Sequence, residues 1–594
     1  MIANLLKRHL DKLLLAAIFV ILSSSTIAWV VTDKTPPSWD PCHHIVAAYD
    51  YYRPLAHLDF EGFRREFFDA THYYAPSIHL VTAAMFLIFG ASRLSAIAVN
   101  MISLAVLLAS VNWIGKTLYG RERAETGNGL DRSTIALGVV AALLSTCYHF
   151  PAWLLHDAFL DYPLMALVAL SFAMLIRADE FRVRRHALAF AVVAGFGLLS
   201  KQTFAFFFVL PALYVIFRVF ATRDRRAVLN LALAGLVMIA IAAVWYVPHW
   251  NDVEAIWRAN RMAAVDEREP AIFSRDSNLY YLHSLISSQT QLPLGILFCL
   301  GLIYSLFRRR KQSLLLYLWL LSGVGIFTFI ANKDFRYTVP VLPAVALLSV
   351  CWLSEPKAAW IGNRKRAAAL KLALVAVIVA WAFVSFFNAQ WPRPGEGQGQ
   401  GVFIDTPYFR WMTYARNYYV FDHRPLAHDW SVPEIVQTVS ELPVEHDARI
   451  SLLADPSTHI TTPPRPPDPH EAVTAPTIPG EDPLHPPRVT LAVVVNRHYL
   501  NSSSIALYAR LMSEGRAGLA SLRVESISDE SEINRIQHCD YLLVRTGLDR
   551  AEGVQPVERR VDNLLRQNPA RFPEVAAFPT PDEAVRAVIY KIER

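Results

Sequence analysis

Asp40 follows Trp39 in PPSWDPCHHIVAAYDYYRP (36–54), a short polar break just past an apolar run. A carboxylate held just above hydrocarbon is partly desolvated, which raises its basicity and suits it to taking a proton from a hydroxyl. A solvated loop aspartate that caps a following helix is the plainer reading. His43 and His44 come next, and Asp40 and His44 stand one helical turn apart. A divalent metal on that pair is a second chemistry the residues admit, with only two ligands on the face. Further on, FDATHYYAPSIH (68–79) sets Asp69, His72, Tyr73 and Tyr74 ahead of Pro76. Aromatic rings stack on sugars and carboxylates bind hydroxyls, so this segment can wall a sugar site. An interfacial aromatic belt is the alternative.

Two more carboxylates stand in HDAFLDYPL (156–164), where Asp157 and Asp161 are four apart and share a face if the segment is helical. Acids at the start of a membrane span are costly unless paired or wet, which suits a substrate-binding role. Compensation of a helix dipole is the competing reading. Lys201 interrupts two apolar runs in GFGLLSKQTF, and Arg336 stands between two others in ANKDFRYTVPVLP, beside Lys333 and Asp334. Both would lie on the outer face of a membrane, where basic residues are disfavoured. Binding an anion such as a lipid phosphate accounts for them. Snorkelling, or a local charge cluster of Lys333, Asp334 and Arg336, does so as well.

The elements that must position these groups are membrane helices. Of 594 residues, 54% are hydrophobic and only 18% charged. That excludes an ordinary cytosolic enzyme and a disordered chain. The net charge of +6 reports cytoplasmic loops and gives no argument for nucleic acid. Spans are predicted at 13–31, 94–115, 133–150, 162–176, 187–200, 203–217, 227–247, 292–306, 313–331, 337–354 and 369–388. Basic clusters such as Arg177/Arg182/Arg184/Arg185 and Arg223/Arg225/Arg226 fall on one side of these spans, the cytoplasmic side. Loops 32–93, 151–161, 248–291 and 332–336 then lie outside, with the whole C-terminal region. Residues 76–90 are apolar but short, and they are read as re-entrant or interfacial.

Composition changes after Asn388. Residues 1–390 form the membrane domain, 391–430 a linker opening on WPRPGEGQGQG, and 431–594 an α/β domain. Its strands are predicted at 449–453, 489–496, 541–545 and 587–592, with helices at 502–514 and 557–567. No glycine fingerprint follows a strand, so nucleotide binding is not read there. Five cysteines make no disulfide framework. Cys42 and Cys539 can share an oxidising compartment, and a bridge between them stays open.

The order of these pieces resembles a known family. The first-loop Asp, then YAPSIHLVTAAMFLIFGASRLSA, LDYPL, GFGLLSK and FRYTVPVLPA, looks like the polyprenyl-phosphate-sugar-dependent membrane glycosyltransferases of the protein O-mannosyltransferase superfamily. The bacterial members include lipid A aminoarabinose transferases. The resemblance covers roughly residues 10–390 and leaves the C-terminal region unmatched. It implies an α-helical polytopic membrane bundle, GT-C-like, of about 11 spans, to which the strand and helix pattern after residue 390 adds a C-terminal extracytoplasmic α/β domain. It also implies an active site at the extracytoplasmic face of a bacterial inner membrane. On matching positions it assigns Asp40 to activation of the acceptor. The stretch around Tyr74 and Pro76, and Asp161, match family segments, and Lys201 and Arg336 match basic positions that serve the donor phosphate. With these, His72, Asp157 and Tyr337 complete the substrate-binding candidates read from the residues themselves. The family's acidic pair in the first loop reads Asp40-Pro41 here, and Asp50 or Asp69 can stand in for the second acid.

The resemblance implies transfer of a sugar from a polyprenyl phosphate to a protein, lipid or glycan acceptor, with inversion and with no nucleotide. No cofactor is required, although a divalent metal is admitted. A polytopic transporter or glycolipid flippase is the rival, but no internal repeat is visible and the ionisable groups gather at one face. A membrane-anchored binding protein is the other rival, and it would need one anchor only. The C-terminal domain can present or select acceptors.

Overall fold

The computed structural model describes residues 2–124, 132–266, 269–308, 313–354, 364–392, 401–415, 424–442, 489–497, 499–513, 522–547, 554–581 and 585–593. These form two compact units. The first comprises residues 1–31, 74–82 and 94–425; the second comprises 32–73, 83–93 and 426–594.

The first unit is a helical bundle. Each of the eleven predicted spans is helical over most of its length. Among the described residues, five helices are long and apolar enough to cross a membrane, among them Arg225–Tyr246 and Arg366–Gln390. Five shorter apolar helices accompany them, including Leu292–Phe307 and Leu314–Thr328. Two predicted spans are broken. Residues 203–217 begin as a 3-10 turn, Gln202–Phe207, before the helix Val209–Thr222. Residues 337–354 divide into a 3-10 turn Phe335–Val341, a helix Leu342–Ser349 and a second 3-10 turn Cys351–Ser354. Pro340 and Pro343 lack the N–H that a continuous helix needs. Residues 76–90 form a helix, Ser77–Phe89, of 13 residues, too short to span a bilayer unaided. The bundle core is aromatic at its centre, where Phe172 stacks on Trp319 at 4.0 Å between ring centroids.

The stretch read as linker carries a two-stranded antiparallel hairpin, β1 (Gly401–Asp405) and β2 (Arg410–Ala415). It belongs to the bundle unit. There the amide of Met412 donates to Ser287 Oγ at 2.8 Å, and the ring of His283 stacks on Phe409.

The second unit is built on a five-stranded mixed sheet. Its strands are β3 (Val489–Val493), β4 (Leu522–Ser526), β5 (Tyr541–Thr546), β6 (Glu574–Pro579) and β7 (Arg586–Lys591), ordered β4-β3-β5-β7-β6. β3 lies parallel to both β4 and β5, and β7 is antiparallel to β5 and β6. Three of the predicted strands are present, β4 and β6 stand where no strand is predicted, and 449–453 lies outside the described residues. Side chains alternate across the strands. Leu491, Val493 and Leu543 pack on one face with Val432, Ile435 and Ile505. Ala492, Leu542 and Val544 pack on the other with Val557, Val561 and Leu565. Because β3 is covered on both faces, its sequence is an almost unbroken apolar run.

Residues 32–73 and 83–93 of the first loop belong to this same unit. The former stretch folds as two helices, Trp39–Ala56 and Phe60–Asp69, the second capped by Asp59, which accepts from Gly62 N. Asp33 pins the loop's entry. Its buried carboxylate accepts from Arg93 Nη1 at 2.7 Å, Thr35 Oγ1 at 2.6 Å and Leu426 N at 3.0 Å. All five cysteines are free thiols, so the Cys42–Cys539 bridge does not form. These two thiols instead donate to nearby carbonyls, Cys42 to Pro37 O and Cys539 to Arg535 O.

Candidate active site

In the bundle unit, Lys201, Asp161, Tyr337 and Arg336 come together at helix ends. Asp161 opens the helix Asp161–Arg177, and Lys201 precedes the 3-10 turn at Gln202–Phe207. Their side chains form an ion pair at 2.8 Å, with 3% of Asp161 and 17% of Lys201 exposed. The ammonium also lies 5.5 Å from the centroid of the Tyr337 ring, a distance at which the ring's negative face attracts a cation. Arg336 stands over the Phe159 ring at 4.9 Å. The cluster thus holds two cations, each turned toward an aromatic face and each tethered to one carboxylate.

Local structure sets these positions. Asp334 accepts from the backbone N–H of Arg336 and pairs with its Nε at 2.6 Å. Tyr337 donates its hydroxyl to Asn332 Oδ1. Lys333 takes no part in an ion cluster with Asp334 and Arg336. It is buried, and its ammonium donates to the carbonyls of Phe327 and Thr328 at the end of a preceding helix. Burial holds that ammonium below the usual lysine range, with Glu269 acting in the opposite sense. Asp157 and Asp161 do not share a helical face, because residues 155–160 are not helical and the helix begins only at Asp161. Asp157 is buried and bonds the N–H of Ala158. Beside it, His156 stacks on Trp29 at 3.8 Å.

Gln289 and Phe159 carry no family signal, yet both support this cluster. Gln289 ends a π-helical stretch, Leu285–Gln289, and is fully buried. Its amide donates to Phe335 O and to Thr338 Oγ1 at 2.9 Å, bracketing Arg336 and Tyr337 from both sides. Such π-helical turns concentrate at functional positions. Only polarity marks Gln289 in the run LISSQTQ, whereas Phe159 lies between Asp157 and Asp161 in a segment already singled out by its acids.

In the second unit, Asp40 lies in the first turn of the Trp39–Ala56 helix. A negative charge is favoured at that end. His43 follows on the next turn, and burial holds its imidazole below the usual range; Asp40 pulls it upward and Arg510 pushes it further down. His44 is buried on the same helix. Among the described residues no third His, Cys, Asp or Glu joins Asp40 and His44 as a metal set, and two side chains are fewer than a resident metal needs. Asp50 forms an ion pair with Arg510, Nε to Oδ1 at 2.9 Å. Glu66, on the next helix, is pushed up to about 7 by burial and then by the charge of Asp50. His72 is exposed in the turn that follows. Tyr74, which belongs to the bundle unit, meets the ring of His79 edge-on.

The architecture matches solved structures. ArnT from Cupriavidus metallidurans in the apo state superposes with a TM-score of 0.51, covering 97% of this chain and 97% of that one, at 14% identity. The chain has the fold of ArnT. A second structure of ArnT, bound to undecaprenyl phosphate, covers the same shares at 14% identity with a TM-score of 0.46. No family model matches the sequence, and no curated protein does. Coverage of 97% corrects the expectation that the C-terminal region stands outside the likeness, since the ArnT fold takes in the helical bundle and most of the residues after 390. The sequence motifs could not show this, because the last of them, FRYTVPVLPA, ends at residue 344.

Proposed function

We propose that this chain is a membrane glycosyltransferase that moves a sugar from a polyprenyl-phosphate donor to an acceptor at the extracytoplasmic face of a bacterial inner membrane. The observation that carries the reading is the cluster of Lys201, Arg336 and Tyr337 at helix ends of a bundle with the ArnT fold. Two cations on aromatic supports suit a phosphate that stays at the water boundary while its lipid tail stays in hydrocarbon.

In this reading the acceptor hydroxyl or amine gives its proton to Asp40 and attacks the anomeric carbon. The carbon–oxygen bond to phosphate breaks, and the polyprenyl phosphate leaves with the electron pair. Lys201 and Arg336 meet the charge that develops on it. A single displacement inverts the anomeric centre. Asp161 holds the Lys201 ammonium in place and so serves substrate binding through that cation. His72, Tyr74 and Asp157 remain candidates for the sugar. The transferase occupies residues 1–390 and the outer α/β domain residues 431–594. No step requires a metal.

The test is incubation of the purified protein with labelled polyprenyl-phosphate sugars and a membrane extract. Labelled acceptor is expected with the wild type and none with Asp40→Asn, at equal expression. Full transfer by that variant would remove Asp40 from the base role.

A further inference from the structure

Within its own unit, the C-terminal region holds the helix that carries Asp40, from the loop after β3 and from the helix Ser502–Met512. Trp39 Nε1 donates to Asn496 Oδ1 at 2.8 Å. Four residues on, His43 Nε2 and Ser503 Oγ share a hydrogen bond of 3.1 Å. Farther along, Tyr49 meets Ser513 at 3.3 Å, and Asp50 holds Arg510 with two bonds, at 2.9 and 3.4 Å. Residues 39, 43 and 50 recur at intervals of four and seven and so share one helical face. Val46 on that face is buried.

The grip falls at a distinctive place in the sheet. Asn496 lies just beyond the C-terminal end of β3, and Ser503 is in the first turn of the helix Ser502–Met512, whose N-cap Asn501 makes a reciprocal capping box with Ser504. In open α/β sheets, ligands bind at the C-terminal ends of parallel strands and at the helix starts that follow them. Here that edge holds the chain's own first-loop helix. The domain's customary ligand position is therefore taken by a structural partner. Asp40 sits between the first two contacts, one residue after Trp39 and three before His43. Two hydrogen bonds from the C-terminal domain fix the helical turn that presents it.

We propose that the C-terminal domain serves the transfer reaction by positioning Asp40, with Asn496 and Ser503 as the positioning residues. The proposal rests on the reading of Asp40 as the base. It makes the domain a fixed part of the catalytic apparatus, where the sequence suggested a device for presenting acceptors. The neutral state of His43 favoured by its burial suits this arrangement, since a neutral imidazole can accept from the Ser503 hydroxyl.

The experiment uses the full chain and measures kcat, donor KM and melting temperature for four variants. Asn496→Ala/Ser503→Ala is expected to lower kcat by on the order of tenfold to a hundredfold, the penalty of a displaced catalytic group, with donor KM within twofold. Ser503→Thr keeps the hydroxyl and should restore wild-type kcat at that position. Arg510→Ala breaks the grip at Asp50, about 15 Å along the helix from Asp40 at 1.5 Å per residue. It should lower the melting temperature and leave kcat within twofold. Asp40→Asn is the reference. If the double variant keeps its kcat while Asp40→Asn is inactive, the positioning role is overturned and the base reading stands. If Asp40→Asn is itself active, the base reading fails and the proposal with it. If kcat falls in proportion to melting temperature in every variant, Arg510→Ala included, the domain is merely structural and the proposal is overturned.

Discussion

Removing the two partners of the Asp161–Lys201 pair should give unequal costs, because the two charges differ in burial. Lys201→Met keeps the aliphatic stem and deletes the cation. It leaves the Asp161 carboxylate with 3% exposure and no counter-ion at 2.8 Å. Stranding a buried charge in this way costs about 3 kcal/mol. Asp161→Asn leaves Lys201 behind, but its ammonium end is 17% exposed and can turn toward water. That variant should cost about 1 kcal/mol. In the double variant both charges are gone and most of the loss should be recovered, a coupling of about 3 kcal/mol that leaves a cost of about 1 kcal/mol. The assay is comparative melting of all four proteins in one detergent, alongside transfer activity. If Lys201 meets the donor phosphate, the double variant is stable and still inactive. Equal melting shifts for the two single variants, or a double variant whose shift is their sum, would refute the reasoning about burial. Recovery of activity in the double variant would refute the role of Lys201.

Other residues carry two further predictions. Glu66 has a folded value near 7, above its ordinary 4.5, so the folded chain binds the extra proton between those pH values and its stability falls as pH rises through them. Glu66→Gln cannot ionise; it should be more stable than wild type by about 1 kcal/mol at pH 8, after allowing for the partial exposure of the carboxyl. That advantage should vanish by about pH 4, below the ordinary value, and a gain that is the same at both pH values would exclude the assigned cause. At Gly197, an added Cβ would overlap the Phe204 ring, forcing apart the helix end and the 3-10 turn on either side of Lys201. Gly197→Ala should raise donor KM by on the order of tenfold, consistent with a displaced binding group. Gly235→Ala, where nothing lies within 4 Å, should leave KM unchanged.

Several features are legible in the residues themselves because they depend on local pattern. Eleven apolar segments announce eleven helical stretches, since the length and hydropathy of a span are properties of consecutive residues. β3 and β5 are readable for the same reason, as apolar runs between polar breaks. The site is half visible. Asp161, Lys201 and Arg336 stand out as charges in apolar company, and that cost is local. Their pairing is not visible, because Asp161 and Lys201 are 40 residues apart and either could have faced water. Asp157 and Asp161 look alike at four residues' spacing, and the non-helical stretch 155–160 separates their environments.

What only the tertiary structure decided was the company each charge keeps. Gln289 holds the turn of Arg336 from 46 residues away, and Asn496 reaches Trp39 across 457. No periodicity encodes such contacts, because a hydrogen bond between distant segments is fixed by where the whole chain packs. Apolar content alone determined that this protein is a bundle of membrane helices. Packing determined that Asp161 belongs to a lysine, and that the helix bearing Asp40 belongs to a domain at the far end of the chain.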